Sequence, residues 1–143
     1  MAAAILLGVS LLGLALLALN GGRYERIAVA AFVAYMIVVP LAASIRIENW
    51  RIGVAVLEVV LFVLVWWLAE RSDRWWLTAA AGFQLIAVLS FSIPFIAPGT
   101  LVLTGVAARF GAWVLITICF FVGVMEVRAG RRASIRSCQN GVL

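Results

Sequence analysis

The chain of 143 residues has no histidine and no lysine, two cysteines and three prolines. Without imidazole there is no His-ligated haem, zinc, copper or di-iron site, and no Ser–His or Cys–His pair for nucleophilic catalysis. Without lysine there is no amine for a Schiff base. Cys119 falls inside an apolar run, where a thiol is a small packing residue, and Cys138 falls in a polar C-terminal stretch, so neither a disulfide nor a metal pair is expected. Charge is scarce too, at 12% of residues, and every positive side chain is arginine. The net charge of +5 comes without aromatic–basic interleaving, so no nucleic-acid groove is expected. These absences leave no catalytic residues, no metal and no cofactor bound by the chain's own ligands.

Apolar sequence fills the space. Hydrophobic residues make up 66% of the chain and form five runs, at residues 2–19, 27–45, 52–69, 75–97 and 101–125. Each has the roughly 17–25 residues a helix needs to cross about 30 Å of hydrocarbon. Backbone groups in lipid must be satisfied within the segment, which makes such runs helices. Residues 55–67 are continuously apolar apart from Glu58, without the alternation of a barrel strand. The expected fold is all-α: one polytopic bundle of five transmembrane helices over 1–125, then a basic tail over 126–143.

The arginines give the bundle a direction. Arg23 and Arg26, Arg71 and Arg74, and Arg128, Arg131, Arg132 and Arg136 fall on one side of the five runs; Arg46 and Arg51 fall on the other. The positive-inside bias places the larger set in the cytoplasm and the N-terminus outside, with the arginines as topology determinants and lipid-headgroup contacts. No basic residue precedes Arg23, so the first run reads as an uncleaved span rather than a signal peptide. Trp50 reads as an outer interfacial anchor. Trp66, Trp67, Trp75 and Trp76 flank the charged turn at 70–74 and read as an aromatic belt pinning a helical hairpin, with Ser72 or Asp73 placed to cap the fourth helix. Ala4 with Gly8, Ala107 with Gly111 and Ala108 with Ala112 are four residues apart, a spacing that lets helices approach closely.

Two ionisable residues lie within the runs, Glu58 in the third and Arg109 in the fifth. A charge at such depth costs at least about 2.5–3.5 kcal/mol on insertion scales and needs a partner. Both lie some 9–12 Å inward from the same face at 1.5 Å per residue, so a Glu58–Arg109 intramembrane pair is expected if the third and fifth helices adjoin. Gln84, Ser90, Ser92 and Thr104 complete the expected intramembrane polar set.

The stretch 70–89 carries the charged turn Arg71, Ser72, Asp73, Arg74, the pair Trp75 and Trp76, and the run Ala81, Gly82, Phe83, Gln84, Leu85. It resembles a block in small uncharacterised polytopic inner-membrane proteins of alphaproteobacteria, with Phe91 where that block continues with a polar residue or histidine. The resemblance covers about a seventh of the chain and implies a multi-pass protein of the bacterial inner membrane; it implies no activity.

The functional expectation is a non-catalytic accessory or assembly subunit of a larger membrane complex (respiratory, photosynthetic or transport-related). Its partners are then membrane lipids and other membrane subunits, with the first and fifth helices as the contact face. The alternative is a small homo-oligomeric transporter or channel using Glu58 and Arg109.

Overall fold

The computed structural model describes residues 1–45, 52–92 and 102–139. Among them the chain is all-helical: α1 (Ala2–Asn20), α2 (Arg23–Ala42), α3 (Ile52–Arg71), α4 (Trp75–Leu89), a 3-10 turn (Ser90–Ser92) and α5 (Val102–Gln139). Three helices are long and apolar enough to cross a membrane: α2, α3 and the Gly105–Gly130 part of α5. The apolar stretches of α1 and α4, Ala4–Asn20 and Trp75–Leu89, are shorter. The fourth expected span, 75–97, is regular helix only to Leu89 and then tightens into the 3-10 turn, where the Ser90 hydroxyl donates to the Ala87 carbonyl. Pro94 follows in sequence and has no N–H with which to continue a helical bond to the Ser90 carbonyl.

Two boundaries differ from the hydropathy pattern. α2 begins at Arg23, a turn before the expected 27, because Gly21 and Gly22 end α1 and Glu25 in the first turn suits the positive end of a helix. α5 does not stop at 125 to release a tail; it continues unbroken to Gln139. Nothing between Met125 and Gln139 breaks a helix except Gly130, and arginines favour a helix C-terminal end. Hydropathy marks where the lipid-facing apolar surface ends, not where the backbone leaves the helix.

Successive helices pack side by side, and α1 also packs against α5, which closes the bundle into a ring. α4 makes the most extensive contacts and packs against both α3 and α5. The core holds Phe32, Trp76 and Phe120, fully enclosed, with Leu14, Leu17, Leu68, Leu77 and Ile116 around them. Phe32 meets Phe120 edge to face at 4.9 Å between ring centroids, a favoured aromatic geometry. Lipid tails are as apolar as these side chains, so close packing, not escape from water, favours helix association. Two glycines make that packing possible. A Cβ on Gly123 would lie 2.9 Å from the Trp76 ring, and one on Gly13 would lie 3.1 Å from Phe120 Cβ. The spaced pairs named from sequence are less used: a Cβ on Gly8 or Gly111 would meet nothing within 4 Å, while Ala112 alone of those residues is buried in the core.

Candidate functional site

Glu58 lies one and a half turns into α3 and is 1% exposed. Its carboxylate is held from two neighbouring helices. The Tyr35 hydroxyl of α2 donates to Oε1 at 2.6 Å, and the Gln84 amide of α4 donates to Oε2. Both oxygens of a buried acid are therefore satisfied inside the bundle, the condition under which such a group is tolerated. The Tyr35 ring in turn stacks on Trp113 of α5 at 5.2 Å, and Trp113 also meets Phe32 edge to face. Arg109, one turn before Trp113, sets its guanidinium 3.9 Å over the Phe91 ring, and its positive charge acts on both Glu58 and Tyr35.

Of the expected intramembrane residues, Glu58, Gln84 and Arg109 thus gather in one region. Glu58 takes its hydrogen bonds from Tyr35 and Gln84, and Arg109 contributes as a neighbouring cation stacked on Phe91. The reason is the helix order: α4 packs against both α3 and α5 and brings its own amide to the carboxylate. Gln84 is fully buried and its Oε1 has no partner among the described residues, because the amide is turned to present its N–H groups to Glu58. Ser90 is buried and bonded within its own turn. The side chains of Ser92 and Thr104, and the whole of Trp50, lie outside the described residues.

A second polar tie joins α1 to α5, where the hydroxyls of Ser10 and Thr117 approach to 2.7 Å. A third lies at the other end of the bundle. Arg74 Nε meets Glu25 Oε1 at 3.0 Å, and its Nη1 meets Glu126 Oε1 at 3.4 Å. One arginine thereby joins the start of α2, the α3–α4 turn and the α5 level of Glu126. Arg74 is a structural bridge and not simply a headgroup contact. Arg71 lies 4.5 Å over the Trp67 ring, and Trp66 donates to Glu70. Arg23, Arg26, Arg128 and Arg132 are exposed; the side chains of Arg131 and Arg136 lie outside the described residues.

The tryptophan belt needs one correction. Trp66, Trp67 and Trp75 are exposed, but Trp76 is the largest fully buried side chain and packs against Gly123. Consecutive helical residues point about 100° apart, which lets Trp75 stay exposed while Trp76 turns into the core. The expected cap is also different: Arg74 occupies the N-cap of α4 without capping it through its side chain, and Ser72 turns back to donate to the Leu68 carbonyl of α3.

Sequence reasoning missed Tyr35, Glu25, Glu126, Ser10 and Thr117. Helical spacing could have found the last pair, since Ser10 is a hydroxyl among consecutive apolar residues of α1. Nothing local marks Tyr35, whose partner is 23 positions away. Among the described residues no three of His, Cys, Asp and Glu come together. In comparisons with known proteins, no family model, no curated protein and no solved structure matches the chain.

Proposed function

We propose that this chain is a non-catalytic integral membrane subunit, an accessory or assembly component of a larger bacterial inner-membrane complex, with five spans, its N-terminus outside and its C-terminus in the cytoplasm. The observation that carries this reading is the state of Glu58. Both oxygens of the most deeply placed acid are engaged by donors from α2 and α4. The chain's costliest polar group is thus used to fasten three helices together. The Ser10–Thr117 contact fastens α1 to α5 in the same way. The bridge at Arg74 supports the topology, because it gathers arginine-bearing segments at one end of the bundle.

The outer surface suits contact with other membrane helices. α1 and α5 share an apolar groove of about 370 Å³ whose walls include Ile5, Val9, Val114, Ile118 and Phe121. Positions 5 and 9 on one side and 114, 118 and 121 on the other form ridges of helical spacing, the relief into which another helix packs. We assign this groove to an apolar helix of a partner subunit. A photo-crosslinking residue at Ile118, exposed in the groove, should give one heteromeric product in native membranes; the same residue at the equally exposed Val60 of α3 should give none. The transporter reading, which draws on the closeness of Arg109 to Glu58, takes its place under a different result. That result is a purified homo-oligomer that moves an ion or solute in liposomes and loses the flux on Glu58→Gln.

A further inference from the structure

At the arginine-rich end, the turn between α1 and α2 opens into a groove of about 620 Å³ lined by Gly21, Gly22, Arg23, Arg26, Ile27 and Ala30. The last four are at i, i+3, i+4 and i+7 of one helix and so share one face. Their order along that face is the informative part. Both arginines stand in the first turn of α2, and Ile27 and Ala30 follow directly towards the apolar middle of the helix. Arg23 and Arg26 are exposed and have no ion-pair partner among the described residues. The acid between them does not neutralise them. Glu25 is 3% exposed and its Oε1 is held by Arg74, while its Oε2 lies beside Gly22 at the edge of the groove. The turn is tight at Gly21: a Cβ there would fall 2.5 Å from the Leu17 carbonyl and from Glu25 Cβ.

We infer that this groove binds an anionic phospholipid, with the phosphate between Arg23 and Arg26 and an acyl chain along Ile27 and Ala30. A guanidinium offers paired N–H donors in the geometry of phosphate oxygens, and two of them suit one phosphodiester. A free phosphate would use the arginines alone. The apolar continuation of the same face is what selects a lipid. The inference stands apart from the subunit reading and requires only that the chain sits in a membrane.

The test uses the full chain, purified in mild detergent, supplied with phosphatidylglycerol or phosphatidylcholine and read by native mass spectrometry. Phosphatidylglycerol should be retained over phosphatidylcholine, and Arg23→Gln with Arg26→Gln should lower its retention at least about tenfold. Arg128→Gln with Arg132→Gln removes the same charge at the same end and should change retention less than about twofold. Ala30→Trp, which fills the groove and leaves both arginines in place, should also release the lipid; this variant decides the matter if the double arginine variant does not fold. Equal losses in the two double variants would mean diffuse attraction and would overturn the site. No preference between the two lipids, retention unaffected by Ala30→Trp, or displacement by millimolar inorganic phosphate would overturn it as well.

Discussion

Replacing Gln84 with leucine removes the donor to Glu58 Oε2 in a water-poor interior, and we expect a loss of about 1–3 kcal/mol in thermal unfolding in detergent. Tyr35→Phe should cost a similar amount through Oε1. Glu58→Leu added to Gln84→Leu should recover part of that loss, since the stranded acid is then gone; strict additivity would mean the residues are not coupled. A second prediction concerns Arg74. Arg74→Gln leaves the buried Glu25 carboxylate unpaired and should destabilise by about 1–3 kcal/mol, a figure held down because the Arg74 side chain is 36% exposed. Arg71→Gln, one turn away and packed on an exposed ring, should stay within about 0.5 kcal/mol. At this scale the sequence was half legible. The cost of burying Glu58, Arg109 and Gln84 is visible in any apolar run, so each demanded a partner. Tyr35 could not be identified as the partner of Glu58, nor Glu25 as that of Arg74, because a tyrosine in α2 and an acid beside two arginines have ordinary uses at the membrane interface.

Elements were more legible than their ends. Long apolar runs name the helices, and the glycines and charged turns divide them. The continuation of α5 to Gln139 was hidden because polarity, not a helix breaker, begins at Glu126. Which small residues mattered was hidden as well. Gly8 and Gly111 have the expected spacing, yet a Cβ on either would meet nothing within 4 Å, whereas Gly123 is isolated in sequence and receives the Trp76 ring. This gives a prediction with a definite sign. In an exposed helix interior, glycine to alanine stabilises by up to about 1 kcal/mol. Gly123→Ala should instead destabilise by about 1–3 kcal/mol, because a methyl 2.9 Å from the indole forces α4 and α5 apart. Trp76→Phe in that background should restore part of the loss. Equal stabilisation by Gly123→Ala and by Gly82→Ala, a site with open space, would show that α4 and α5 do not meet as described.

For the whole molecule, three spanning helices follow from length and composition, and five follow only if α1 and α4 cross as well. The ring closed by α1 against α5, and the Arg74 bridge that collects three arginine-bearing segments at one end, both favour five. An odd number of spans puts the two ends of the chain on opposite faces of the membrane. That consequence can be read by labelling intact cells with an impermeant thiol reagent. Cys119 is buried in the core and stays silent, so one experiment can compare Cys138 with a cysteine introduced as Ala2→Cys. The expected result is labelling at position 2 in intact cells, with Cys138 labelled only after lysis. Labelling of both positions in intact cells, or of neither, would place the ends on one face and contradict the five-span bundle.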